Sequence, residues 1–144
     1  MKKEIILALG TNLGNREDNI DNALNLLKEN IDIYGVSKNY YNNAMVPEGA
    51  PKEWDIEFLN IAIVGSTELS AEGLLDFVLA TEVRMGRGDH EKWSPRIIDI
   101  DIIIYNNEVY NLPHLKVPHP HYKERDFVMI PLNDIRLLCK SLEF

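Results

Sequence analysis

The chain has 144 residues, of which 45% are hydrophobic, so it is long enough to bury the core of one domain without disulfides or a structural metal. Its 23 acidic residues against 15 basic ones give a formal charge of −8, which excludes a nucleic-acid surface built on many phosphate contacts. Cys139 is the single cysteine, which excludes an internal disulfide, and no apolar run is long enough to span a membrane, so we expect one cytoplasmic domain over residues 1–144.

The first third of the chain predicts two strands and a helix, followed by a long loop. Residues 4–9 form a short apolar run that is typical of a central strand. Apolar residues recur at helical spacing over residues 15–29, and acidic residues near the start of this stretch favour a helix N-terminus. Residues 31–41 alternate and contain β-formers, and Gly35 predicts a bulge among them. Two prolines and a glycine make residues 42–55 a loop.

The rest of the chain predicts a second helix and three further strands. Residues 56–64 read as a strand, and residues 71–85 carry apolar side chains at helical spacing. The isoleucine-rich stretch 93–105 predicts the strand around which the site is organised. A turn with a short return follows it, then a proline-marked loop, and residues 127–132 predict a last strand.

This order of elements, without regular alternation of strands and helices, predicts an α+β fold. We expect an antiparallel ferredoxin-like sheet with helices packed on one of its faces.

Two carboxylates interrupt the isoleucine-rich strand. Because side chains alternate along a strand, Asp99 and Asp101 share one face, while Ile98, Ile100 and Ile102 point the other way. Burying two like charges side by side is unfavourable without a positive partner, so the pattern requires a divalent cation or arginines, and Arg96 is the nearest. Two aspartates that merely pair with arginines remain an alternative at this point.

Other polar residues leave two explanations open. Asn60 interrupts an apolar strand, and it is either a satisfied structural amide or a contact to a ligand. The proline-marked loop carries His114, His119 and His121, but it lacks a cysteine partner and helical spacing, so phosphate contact or solvent exposure is favoured over a metal cage.

Five segments in register resemble the 6-hydroxymethyl-7,8-dihydropterin pyrophosphokinase family of folate biosynthesis. They extend from the first strand to Leu132, and any one of them alone is weak evidence. The segments are Gly10-Thr11-Asn12-Leu13-Gly14; Phe58-Leu59-Asn60; Glu82 with Gly86-Arg87; Trp93-Ser94-Pro95-Arg96-Ile97-Ile98-Asp99-Ile100-Asp101; and Pro118-His119 with Glu124-Arg125-Asp126-Phe127 through Pro131-Leu132.

The resemblance implies transfer of pyrophosphate from ATP to the pterin hydroxymethyl group, leaving AMP. It further implies that two Mg²⁺ ions are held by Asp99 and Asp101, and that the chain is fused to, or associates with, dihydropteroate synthase. The implied catalytic residues are Arg87, Arg96, Asp99 and Asp101; the implied pterin contacts are Val46, Phe58, Asn60 and Phe127; the implied ATP contacts are Glu82, Arg87, Trp93, Arg96, His119 and Arg125.

Two rival functions remain open on the sequence alone. One is a different two-metal enzyme on a similar sheet, such as a nucleotidyl transferase or a phosphohydrolase. The other is a ligand-sensing ferredoxin-like module without chemistry. The two neighbouring aspartates count against the sensor, which would gain nothing from two adjacent buried charges.

Overall fold

The computed structural model of the protein describes residues 1–43, 47–52, 56–87 and 95–144. In chain order, the strands and helices in these ranges are β1 (Lys3–Thr11), α1 (Arg16–Leu27), β2 (Asp32–Val36), β3 (Tyr40–Asn42), β4 (Phe58–Thr67), α2 (Ala71–Arg84), β5 (Asp99–Tyr105), β6 (Tyr110–Leu112), β7 (Leu115–Val117) and α3 (Asp126–Ile135).

The main sheet is antiparallel and has the ferredoxin-like order. Its strands lie side by side as β2-β4-β1-β5, and the short strand β3 pairs with the other end of β4. Each helix crossover therefore connects strands that are not neighbours, as in a split βαβ unit. The predicted α+β, ferredoxin-like fold is confirmed.

Helices α1 and α2 cover one face of this sheet. Ile20 and Leu27 of α1 and Leu74 and Val78 of α2 pack with the isoleucines of β5 in one buried cluster. Both helices begin at or next to the predicted residue, and Asn15 and Ser70 cap them by accepting a backbone N–H three residues later. Ile98, Ile100 and Ile102 lie in this cluster, which confirms that they point away from the two aspartates.

The predicted strand at residues 127–132 is wrong: this segment belongs to helix α3. A strand would place Val128, Ile130 and Leu132 on one face, yet Ile130 is 47% exposed while the other two are buried. The buried residues Val128, Pro131, Leu132 and Ile135 instead follow the helical spacing i, i+3, i+4 and i+7.

Helix α3 covers the face of the sheet opposite to α1 and α2. Val128, Leu132 and Ile135 pack there against Ile6 and Val64 of the central strands. The expectation that all helices lie on one face is therefore wrong for α3. Pro131 lies inside this helix, where it lacks the N–H of one backbone hydrogen bond and contributes to the buried face.

Two smaller differences concern the strands. The predicted strand 31–41 is divided into β2 and β3, and the register shift beside Gly35 confirms the expected bulge. The short segment that follows the turn after β5 does not pair with β5; instead, β6 and β7 pair with each other as a hairpin.

Among the described residues, no helix is long and apolar enough to cross a membrane.

Candidate active site

The site lies on the α3 face of the sheet, where three strands present small or polar side chains in adjacent rows. Asn60, Gly10 and Asp99 are partners in register across β4, β1 and β5. Two residues before Gly10 in β1, Ala8 pairs with Asp101. Because Ala8 has only a methyl group and Gly10 has no side chain, space remains above the sheet between Asn60 and the two aspartates.

Asp99 is held by two arginines. An Nη1 of Arg87 lies 2.8 Å from its Oδ1, and an Nη1 of Arg96 lies 3.3 Å from its Oδ2. The side chains of both arginines are about one-fifth exposed, and that of Asp99 is 29% exposed. The charge of Asp99 is thus balanced within the protein. For Asp99, this agrees with the alternative that the aspartates pair with arginines.

The end of helix α2 places Arg87. Gly86 adopts a φ of +97°, which terminates the helix, and the Arg87 amide donates to the Glu82 carbonyl at 3.0 Å while the Gly86 amide donates to the Val83 carbonyl at 2.9 Å. This pair of bonds is a Schellman motif, and its positive φ favours glycine. The turn directs the Arg87 side chain back toward β5.

Glu82 is a third carboxylate beside the site and, unlike Asp99 and Asp101, it is buried. One of its oxygens accepts from Arg87 at 2.8 Å and from the backbone amide of Ile100 at 2.7 Å. Burial raises the pKa of Glu82, while the Ile100 amide and Arg87 act in the opposite direction. Glu82 therefore fixes Arg87 to the exposed edge of β5.

The turn after β1 places Arg96. Asn12, which is almost fully buried, accepts from the Arg96 amide at 2.8 Å through its side chain, and its own amide donates to the Arg96 carbonyl at 3.0 Å. The Asn12 side chain also donates to the Ile56 carbonyl at 3.1 Å. These bonds give Asn12 a structural role in this turn.

Asp101 differs from Asp99 in its surroundings. Within the described ranges, no side chain or backbone group donates a hydrogen bond to its carboxylate. Burial raises the pKa of Asp101 to about 7, the negative charges of Asp99 and Glu82 add to this rise, and the more distant Arg125 and Arg87 oppose it. The described part of the protein therefore compensates little of the negative charge of this carboxylate.

A first cavity of about 430 Å³ opens above Asn60 and the aspartates. Phe58 and Phe127 contribute aromatic rings to its wall, and Asn60 contributes an amide. The Arg125 guanidinium lies 5.8 Å from the Phe127 ring centroid, so it approaches the same wall as a cation. Aromatic walls with few polar groups are typical of sites for flat organic ligands.

A second cavity lies along the outer edge of β5, beneath the β6–β7 hairpin. Leu75 and Leu79 of α2 and Ile102 of β5 form its apolar wall, while Lys116 and His119 supply polar groups. Burial lowers the pKa of His119 and the nearby Arg125 adds to this effect, so the ring is neutral at pH 7. Its Nδ1 accepts from the His121 amide at 3.3 Å, which leaves the proton on Nε2.

The two cavities share only Asp99 and Asp101 among their described lining residues. The aspartate pair therefore stands at the junction of two binding spaces. A ligand in one space can meet a ligand in the other at this point.

The ten described residues of the predicted site all line one of these cavities. Val46 and Trp93 lie outside the described residues. The first cavity contains Phe58, Asn60, Arg96, Asp99, Asp101, Arg125 and Phe127; the second contains Glu82, Arg87, Asp99, Asp101 and His119. The Nδ2 of Asn60 is bonded to β3, as expected for a structural amide. Asn60 also lines the first cavity, where a ligand could contact it.

Sequence reasoning missed several residues that line the site. Asn42, Gly10 and Lys116 lie in the cavities, and Asn12 positions Arg96. Lys116 lies in the β6–β7 hairpin. Its strands have only three residues each and are next to prolines, so the sequence pattern does not indicate them. The position of Asn12 within a Gly-Thr-Asn turn was the available signal for a residue that bonds to backbone groups.

Comparison with known proteins gives a family match over most of the chain. The family model described as 7,8-dihydro-6-hydroxymethylpterin-pyrophosphokinase (HPPK) matches residues 6–137. A protein named 2-amino-4-hydroxy-6-hydroxymethyldihydropteridine pyrophosphokinase, from Aquifex aeolicus, is 37% identical over 135 residues, which cover 91% of this chain and 79% of that protein.

Longer proteins are also similar. A folate synthesis bifunctional protein from Chlamydia trachomatis is 38% identical over 143 residues, and the chain spans 31% of its length. A crystal structure of Plasmodium falciparum HPPK-DHPS superposes with a TM-score of 0.71 at 15% identity, covering 94% of this chain and 40% of that one. At this identity the superposition supports the fold alone.

Proposed function

The chain belongs to the 7,8-dihydro-6-hydroxymethylpterin-pyrophosphokinase family, and from this we propose that it transfers pyrophosphate from ATP to the hydroxymethyl group of 6-hydroxymethyl-7,8-dihydropterin. The products would be AMP and the pterin diphosphate, a step of folate biosynthesis. The observation that carries this proposal is the meeting of two cavities at Asp99 and Asp101.

The pterin would occupy the first cavity. Phe58 and Phe127 offer faces for stacking on a flat ring, and Asn60 offers a hydrogen bond to its amide edge. This arrangement would orient the hydroxymethyl group toward the aspartates. Val46 remains proposed as a further pterin contact through its backbone.

ATP would occupy the second cavity. The apolar wall of Leu75, Leu79 and Ile102 suits a purine ring, while His119 suits the ribose or the phosphates. Arg87 and Arg96 would bind phosphate oxygens where the cavities meet, and Arg125 would approach the same charge from α3. Glu82 would line the nucleotide site through its bond to Arg87, and Trp93 remains proposed as a nucleotide contact.

The residues present fit Mg²⁺ when phosphate supplies further ligands. In the described part of the chain, no cluster of three or more histidine, cysteine or acidic residues could hold a metal ion by itself. Mg²⁺ in nucleotide enzymes is held by one or two carboxylates together with phosphate oxygens, which matches a pair of aspartates facing a cavity. We propose that Asp99 and Asp101 hold two Mg²⁺ ions, which when bound neutralise charge on the phosphates.

In the proposed reaction, the pterin hydroxyl oxygen forms a bond to the β-phosphorus of ATP. The bond between that phosphorus and the oxygen of AMP breaks, and the hydroxyl proton is released. The contribution of the protein is to align these groups and to stabilise charge, because phosphoryl transfer needs little covalent chemistry from side chains. Arg87 and Arg96 are fixed by Glu82 and Asn12 before any ligand binds, so they are preorganised for this task.

Incubation with ATP, Mg²⁺ and hydroxymethyldihydropterin tests this function directly. Mass spectrometry should detect AMP and the pterin diphosphate in equal amounts, and neither should form without Mg²⁺. Cleavage of ATP that does not require the pterin would favour the rival phosphohydrolase. Binding of pterin without any product would favour the sensor.

We propose three further features. Residues 1–144 form one catalytic domain, and this domain works in the cytoplasm. Because the matched bifunctional relatives are about three times longer than the matched region, we also propose that the protein works in fusion or association with dihydropteroate synthase. Copurification of the two activities from cell extract would test this association.

A further inference from the structure

We propose that Asn42 is a positioning residue that locks the Asn60 amide so that its oxygen, and not its nitrogen, faces the pterin cavity. This inference rests on the proposed function and concerns how the same site chooses its substrate. Asn42 is the last residue of β3 and lies on the wall of the first cavity.

The orientation of Asn60 follows from a backbone group. Its Nδ2 lies 3.3 Å from the Tyr40 carbonyl oxygen, which can only accept a hydrogen bond. The atom of Asn60 that faces Tyr40 must therefore be the NH₂ group. With the nitrogen directed toward β3, the oxygen is directed toward β1.

The orientation of Asn42 follows in turn from Asn60. The second bond of the Asn60 Nδ2 goes to the Oδ1 of Asn42 at 2.5 Å. Both hydrogens of the Asn60 amide are thus used within the protein. Asn60 is only 5% exposed, so an unbonded hydrogen of its amide would be costly there.

The oxygen of Asn60 lies where a ligand would meet it. A Cβ built on Gly10 would come within 3.2 Å of this oxygen and 3.5 Å of the Phe58 ring, so the absence of a side chain at Gly10 keeps the space in front of both residues open. In the described part of the chain, no donor is bonded to this oxygen.

Because the Asn60 amide has a fixed orientation, the site selects ligands by the hydrogen-bond donors that they carry. Asn60 can only accept, so the heterocycle edge that meets it must present an N–H group. Without Asn42, the amide could rotate and present its NH₂ group, at the cost of one bond to Tyr40. A site that has lost this bond rejects incorrect ligands less strictly and binds the correct ligand less well.

A double-mutant cycle on Asn42→Ala and Asn60→Ala tests this inference. Binding of 6-hydroxymethylpterin would be measured by fluorescence, in the presence of Mg²⁺ and α,β-methylene-ATP, which cannot be cleaved between its α- and β-phosphates. We expect Asn42→Ala to weaken pterin binding about tenfold, and the double variant to bind no more weakly than Asn60→Ala alone.

Steady-state kinetics separates positioning from a general loss of structure. We expect Asn42→Ala to raise the KM for the dihydropterin about tenfold while kcat and the KM for ATP stay within twofold of wild type. Asn39→Ala is the matched control, because Asn39 is exposed, lies outside both cavities and is three residues earlier. It should leave every constant unchanged.

The inference is overturned if Asn42→Ala binds pterin as wild type does, or if the two substitutions are additive. An equal rise in both KM values would also overturn it, since that would indicate a general disturbance. If Asn60→Ala itself leaves pterin binding unchanged, the proposed pterin site fails, which is a distinct result. Loss of pterin binding in Asn60→Ala with none in Asn42→Ala would contradict the inference alone.

Discussion

The protein satisfies two carboxylates of the main sheet very differently, the buried Glu4 of β1 and the half-buried Asp101 of β5. Glu4, near the start of β1, accepts hydrogen bonds from the backbone amides of Lys140, Ser141 and Leu142 and from the Tyr34 hydroxyl. Asp101, on β5 beside the other half of β1, accepts no hydrogen bond from the described residues.

The pKa values of the two groups shift in opposite directions for this reason. Burial acts against the charge of Glu4, but the bonds from Tyr34 and the chain end outweigh it and hold the pKa below the usual range. Burial raises the pKa of Asp101 to about 7, and neighbouring carboxylates add to the rise. The hydrogen bonds to Glu4 suit it to a role in the fold, whereas Asp101 lacks such bonds from the described residues and is suited to a ligand.

The largest effect is expected for activity when Asp101 is replaced by Asn. The amide has the shape of the carboxylate but not its charge, so Mg²⁺ binding should be lost while pterin binding is largely spared. We expect AMP formation to fall by at least about 10³-fold, or about 4 kcal/mol in the activation free energy. Full turnover in this variant would show that the metal assignment is wrong.

A smaller effect, on folding, is expected when Glu4 is replaced by Gln. The amide NH₂ of glutamine would face backbone donors that now bond to a carboxylate, so we expect the free energy of unfolding to fall by about 2 to 3 kcal/mol. Urea denaturation measures this, with the exposed Glu143→Gln in the same chain end as control. Equal stability of the two variants would show that the charge of Glu4 has no structural role.

The pH dependence of this loss has a definite sign. Because the folded pKa of Glu4 is lowered, its contribution is complete above the ordinary value of 4.5 and disappears as the pH falls through the folded pKa. The stability difference between wild type and Glu4→Gln should therefore shrink below about pH 4. A difference that stays constant down to pH 2 would contradict the charge-based explanation.

In the absence of metal and nucleotide, we expect the contribution of Asp101 to stability to change with pH in the opposite direction. Its folded pKa of about 7 exceeds the ordinary value of 3.8, so the folded state loses stability relative to the unfolded chain as the pH rises between these values. Asp101→Asn should then be more stable than wild type by about 1 to 2 kcal/mol at pH 8 and equal to it near pH 3.5. A less stable variant at pH 8 would indicate that the protein does satisfy this carboxylate.

The smallest effect concerns the turn that holds Arg87 over Asp99. Gly86→Ala would force a side chain into a positive φ with no steric contact within 4 Å, and should cost about 1 kcal/mol of unfolding free energy. Gly14→Ala is a matched control, since Gly14 also has a positive φ and open space.

Both glycine variants should lose similar stability in thermal denaturation. Only Gly86→Ala should lower kcat, by about threefold to tenfold, because Arg87 follows it directly. Equal kcat values in the two variants would show that the Schellman turn does not place Arg87 for catalysis.

The elements with a clear period were predicted from the sequence. Helices α1 and α2, the central strands and the shared face of the two aspartates follow from spacing alone, because each repeats its pattern over several turns or residue pairs. The resemblance to a family was needed for the substrates, since spacing carries no information on which ligand fills a cavity.

The remaining features depend on contacts that are distant in sequence. Residues 127–132 are an apolar run too short to separate a strand from a buried helix, and packing of Leu132 against Ile6 decides between them. Likewise, the bond between Asn42 and Asn60 appears only once β3 pairs with β4. Such residues are found by register and not by local pattern.

The most direct test of the central claim is the pKa of Asp101 followed by carbon-13 NMR of the aspartate carboxyl groups. In the protein without ligands, the account predicts that Asp101 titrates near pH 7. With Mg²⁺ and α,β-methylene-ATP bound, the pKa should fall by at least about two units, because the carboxylate gains a cation. An Asp101 pKa that is the same with and without the magnesium nucleotide would contradict the account.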